Sequence, residues 1–140
     1  MLYMKRTVLF LFLALTGFFA AAQSEVKTVK PTTETEEVFV VVEDEPEFPG
    51  GMEALYHYLA SNINYPDEAK AEKIQGRVFV SFVIEKDGSV SNIKLLHDIG
   101  GGCGEEAVRV VAAMPRWKPG RQHGRRVRTQ YNLPINFNLN

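Results

Sequence analysis

Cys103 is the side chain in this sequence best placed to do chemistry. It stands just before an expected helix start, where the helix dipole lowers a thiol's pKa and favours the nucleophilic thiolate. Glu105 and Glu106 follow at once and oppose that effect, and no second cysteine completes a Cys-x-x-Cys pair. His97-Asp98 offers two members of a triad, but adjacent residues at a strand end read as exposed loop. His57, His97 and His123 lie far apart, with no pair at the i,i+4 or loop spacing of a metal site. Gly100-Gly101-Gly102-Cys103-Gly104 precedes a helix yet lacks the Lys-Ser/Thr end of a phosphate loop. It reads as a hinge. These residues favour binding over catalysis, with no cofactor and no metal expected. Cys103 itself reads as a small buried hydrophobe, the other reading being the disulfide link of a homodimer.

The 140 residues suffice for one domain and a modest tail, and 45% hydrophobic content allows a core. Residues 1–22 stand apart. Lys5 and Arg6 precede an apolar run from Val8 to Ala22, which ends in Ala20-Ala21-Ala22. That order is a secretory signal peptide. The competing reading is a short membrane anchor, although the run falls short of the ~20 residues a spanning helix needs. Net charge is −1, but its distribution is uneven. Eight acids lie between Ser24 and Phe48, opposed only by Lys27 and Lys30. From Arg116 onward there is no acid, while Arg116, Lys118, Arg121, Arg125, Arg126 and Arg128 cluster. Such a cluster can hold nucleic acid, which an exported protein rarely meets. It reads instead as a solvated face partly covered by the acidic segment.

Residues 23–44 form an acidic flexible linker, broken by a β-prone run at Val38–Val42. Residues 45–140 form the domain. Met52, Leu55, Tyr56, Leu59 and Ile63 recur at helical spacing. Pro66 opens a second short helix, helped by Asp67 and Glu68 at its positive end. Val78, Val80, Phe82 and Ile84 alternate along a strand, Asp87-Gly88 closes a hairpin, and Val90–Leu96 returns. A third helix turns Ala107, Val108, Val111 and Met114 inward and stops at Pro115. Trp117 then anchors the core, its indole N–H bonded to a carbonyl. In the last strand Val127, Thr129, Tyr131, Leu133, Ile135, Phe137 and Leu139 share one face, with polar residues on the other. Pro134 cannot donate to a ladder and places that strand at an edge. The fold expected is α+β: a small antiparallel sheet, made of a hairpin plus a C-terminal edge strand, with helices packed on one face.

Tyr65-Pro66, Gly76-Arg77-Val78-Phe79-Val80, Asp87-Gly88-Ser89-Val90, Trp117-Lys118-Pro119-Gly120 and Leu133-Pro134-Ile135-Asn136-Phe137 come in an order and spacing that resemble the TonB C-terminal domain. The resemblance spans about 75 residues, from Asn64 to Leu139. It implies a non-catalytic periplasmic domain that takes an extended N-terminal peptide of an outer-membrane TonB-dependent transporter as an added strand. Carried onto this sequence, the docking residues are Tyr65, Pro66 and the stretch Val127, Arg128, Thr129, Gln130, Tyr131, Asn132 and Leu133. Arg128, Gln130 and Asn132 would flank the incoming strand, and Pro134 would end the usable ladder. Two other functions stay open, a soluble interaction domain for a sensor or cell-wall partner and a thiol enzyme centred on Cys103. TonB proper also carries an anchor and a long proline-rich spacer. Here about 15 residues separate Ala22 from Val38, on the order of 50 Å when extended.

Overall fold

In the computed structural model, which describes residues 37–139, each alternating or periodic run of the sequence forms its element. The order is β1 (Val38–Phe39), α1 (Gly51–Asn62), α2 (Asp67–Ala71), β2 (Gly76–Ile84), β3 (Val90–His97), α3 (Cys103–Ala112), β4 (Arg121–Gln122), β5 (Arg125–Arg126) and β6 (Arg128–Phe137). The expected leader at residues 1–22 and most of the expected linker lie outside the described residues. Among the described residues no helix is long and apolar enough to cross a membrane.

β2 is the spine. It pairs antiparallel with β3 on one side and with β6 on the other, in a four-stranded sheet of order β1-β6-β2-β3. Val78, Val80, Phe82 and Ile84 of β2, with Leu133, Ile135 and Phe137 of β6, are buried on one face. Leu55 and Leu59 of α1, Ala69 of α2, and Cys103, Ala107, Val110 and Val111 of α3 complete the same core. Ser81 and Val83, on the opposite face of β2, are buried as well.

Three expectations about this core shift. α3 begins at Cys103, two residues earlier than Glu105, so Cys103 sets the phase of the buried stripe. That phase buries Val110 and leaves Val108 half-exposed. On α1, Met52 and Tyr56 were expected inside, yet they are 49% and 57% exposed. Their places against the core go to Ala54 and Tyr58, whose hydroxyl donates to the Val110 carbonyl at 2.9 Å. Trp117 is buried at 3% exposure, packed edge-on against Phe48 and tilted against Tyr131 at 5.0 Å. Its Nε1–H, expected to reach a carbonyl, has no hydrogen-bond partner among the described residues. The indole holds its place by packing.

The segment before α1 is a strap rather than a free tail. Val38 and Phe39 run parallel to β6 opposite Arg128 and Thr129. Further on, Asp44 and Arg121 exchange two backbone hydrogen bonds of 3.1 and 2.9 Å, and Glu47 and Lys118 exchange two of 3.0 and 2.8 Å. The Glu43 carboxylate lies 3.3 Å from His123 Nδ1. Acidic strap and basic segment thus meet, as their opposite charges favour.

Candidate functional site

β6 pairs with β2 over nine consecutive positions without a shift, from Gly76–Phe137 to Ile84–Thr129. Pro134 stands opposite Phe79. Since Pro134 has no N–H, the ladder stays intact only if this is a non-hydrogen-bonded pair, with its backbone turned away from β2. By alternation Arg128, Gln130, Asn132 and Asn136 also turn their backbone groups outward. The expected edge strand therefore has a neighbour at one end only. β1 covers it at Arg128 and Thr129, its parallel register setting the Phe39 carbonyl against the Gln130 N–H, and from Tyr131 to Phe137 no second strand flanks it among the described residues. Those seven residues span roughly 24 Å at about 3.4 Å each.

Along the far half of this edge runs a groove of about 280 Å³, lined by Tyr56, Leu59, Ala60, Ile63 and Tyr65 on one side and Pro134–Asn138 on the other. Met52 extends the same stripe of α1 toward Tyr131, whose hydroxyl lies 3.6 Å from Met52 Sδ. These α1 residues were missed as surface residues. Periodicity marks a helix's apolar side but does not say which part of it the core covers.

The residues singled out from the sequence fall into separate places. Tyr65 lines the groove. Its ring meets Phe137 edge-on, 5.6 Å between centroids and 82° between planes, and its hydroxyl donates to the Ile74 carbonyl. Burial and the neighbouring Cys103 both push the Tyr65 phenol upward. Pro66 precedes α2, accepts the Lys70 N–H at 3.0 Å, and lies outside the groove. Val127 donates its N–H to Gly120 at 3.0 Å. The side chains of Thr129 and Leu133 are buried. Tyr131 is half-buried between Phe82 and Trp117, its pKa raised first by that burial. Gln130 and Asn132 remain as side chains beside the open edge, Gln130 Nε2 donating to Ser81 Oγ at 3.2 Å.

Arg128 is engaged within the sheet. Its Nε and Nη2 donate to Glu85 Oε2 and Oε1 at 2.7 and 3.0 Å. This two-point contact is the leading cause that holds the Glu85 carboxyl below its ordinary 4.5. A carboxylate whose folded-state pKa is depressed stabilises the fold above its ordinary pKa, and the contribution is lost as pH falls through the depressed value. Glu85→Gln should therefore lower stability at pH 7, by about 1 kcal/mol or more for a half-buried two-point pair. The difference from wild type should close as the pH drops below 4.5. Urea unfolding of both proteins across that range checks it.

Cys103 has no exposed surface, and burial followed by the Asp98 charge raises its pKa. The dipole effect expected at this position does not prevail. A thiol so enclosed has no exposed sulfur to offer a second folded chain. Asp98 has a structural task, its Oδ1 accepting the Gly100 and Gly104 N–H groups at 3.0 Å each. Among the described residues no cluster of three His, Cys, Asp or Glu side chains is placed to hold a metal ion.

This architecture is accompanied by a sequence match over most of its length, from the end of α1 onward. The family model for the Gram-negative bacterial TonB protein C-terminal matches residues 61–139, and the chain belongs to that family. Domains of this family are non-enzymatic and associated with transport. Among solved structures the chain is similar to the TonB C-terminal domain of Helicobacter pylori, at 24% identity over 61% of this chain and 78% of that one, with a TM-score of 0.46. It is also similar to the TonB C-terminal domain of Pseudomonas aeruginosa, at 32% identity over 54% of this chain and 77% of that one, with a TM-score of 0.43. No curated protein matches the chain.

Proposed function

We propose that this domain docks an extended N-terminal segment of an outer-membrane TonB-dependent transporter as an added strand on the open edge of β6. The periplasm is its place of action, reached through the leader at residues 1–22, with residues 45–140 as the binding unit. The observation that carries this reading is the contrast between the two edges of the sheet. β6 is unbroken against β2, open from Tyr131 onward and flanked by a groove of mixed apolar and polar lining. β3, at the other edge, is blunted. Its pairing with β2 shifts register twice, Asn92 takes a left-handed φ of 46°, and Lys94 is exposed on it. Bulges and lysines are how proteins keep an edge from pairing. Strand addition draws affinity from main-chain hydrogen bonds and specificity from alternate side chains. On β6 the outward N–H groups of Asn132 and, past the gap that the outward-turned Pro134 leaves in the row instead of ending it, Asn136 supply the former, and the groove supplies the latter.

Asn132→Pro removes one outward donor beyond the reach of β1 and leaves the inward ladder to β2 intact. It should weaken binding of a synthetic transporter N-terminal peptide by about 1 kcal/mol or more, with the fold retained by circular dichroism. Equal affinity in a folded variant would place the ligand elsewhere.

A further inference from the structure

The docking edge is already occupied at its first end by the chain itself. The strap has a firm base and a loose tip. At the base, Pro46 and Phe48 are buried, Glu47 pairs with Lys118, Asp44 pairs with Arg121, and the Glu43 N–H reaches Gln122 Oε1 at 3.0 Å. At the tip only Val38 and Phe39 pair with β6, and both are half-exposed. Between them Val40 and Val41 are 69% and 84% exposed and belong to no strand. A cleft of about 300 Å³ opens there, lined by Val40, Val42 and Pro46 on the strap and by Thr129–Asn132 on β6. Moving the tip therefore uncovers little apolar surface, while the base stays fixed.

We propose that Val38–Phe39 is a displaceable tip that holds the head of the β6 edge in the free protein and yields when a longer strand docks there. The inference rests on the docking reading above and adds its regulation. Strands in a sheet lie about 4.8 Å apart, so only one can sit beside Arg128 and Thr129 at a time. A ligand that pairs from Gln130 back toward Arg128 must take the place of β1. Its apparent affinity is then the intrinsic one reduced by the fraction of molecules with the tip open. A tip closed about nine-tenths of the time weakens such a ligand about tenfold, and one closed about two-thirds of the time weakens it about threefold. The acidic segment before the domain thus sets the affinity of the edge from within the same chain.

The test uses the full chain in three forms: wild type, Val38→Pro/Phe39→Pro, and Asn132→Pro. The prolines at the tip lie outside the buried core, and a chain lacking residues 37–39 serves if the double variant melts early. Two quantities are read, amide hydrogen exchange at Arg128 and Leu133, and affinity for a synthetic transporter N-terminal peptide. The expected result is Arg128 exchange accelerated at least about threefold with Leu133 unchanged, and peptide affinity raised by about the same factor. Faster exchange at Arg128 with affinity unchanged or lowered overturns the displacement. So does Arg128 exchange that the prolines leave unaltered. Failure of the docking reading itself shows separately, as absence of peptide binding in every form or as undiminished binding by Asn132→Pro, and it takes the displaceable tip down with it.

Discussion

Gly88→Ala is expected to cost the domain about 2–5 kcal/mol, overpacking and backbone strain together, a large share of what a small domain has to lose. Gly88 closes the hairpin between β2 and β3 with φ at +87°, a region where side chains are strained. A Cβ placed there would stand 2.0 Å from the Trp117 carbonyl oxygen. That neighbour is backbone and cannot step aside, because Trp117 N–H is itself bonded to the Gly88 carbonyl at 2.8 Å. Relief would require the turn and the tryptophan segment to part, which opens the core at its most aromatic point. Urea unfolding at neutral pH gives the number. A midpoint close to wild type would show that the hairpin and Trp117 are not locked together.

Trp117→Ala is expected to destabilise by a similar 3–5 kcal/mol, the range for emptying a buried large aromatic site. The indole touches Phe48, Phe82 and Tyr131, with ring centroids 5.0 to 5.7 Å away. Removing it leaves a cavity where strap, sheet and the segment after α3 meet. Trp117→Phe is expected to cost clearly less than Trp117→Ala. It keeps much of the packing and removes an N–H that is buried without a partner. Equal losses from the two substitutions would mean that the indole nitrogen carries a bond essential to the fold.

Much of this architecture was legible in the residues, because local periodicity encodes it. The alternation of β2 and β6, the Asp87-Gly88 turn and the tryptophan core each follow from spacing within a few residues. What stayed hidden depends on distant neighbours. Nothing near Val38 announces that it pairs with Arg128, some 90 positions later. The exposure of Met52 and Tyr56 depends on how far α1 sits beyond β6, and an apolar stripe alone does not contain that. Cys103 was placed outside its helix because glycines obscured the helix start, and that shift moved the buried stripe to Val110. The β6 edge shows the same division. Alternation turned Gln130 and Asn132 away from the core, whereas the groove beyond Pro134 needed α1 in place to exist.

The most direct test of the central claim is residue-level amide exchange on the full chain, with and without the transporter peptide. Addition of a strand to β6 protects outward backbone donors and leaves inward ones as they were. The expected result is increased protection at Asn132 and Asn136, with no change along β3 from Val90 to His97. Protection gained on β3 or on the basic β4–β5 hairpin, with Asn132 and Asn136 exchanging as in the free protein, would contradict it.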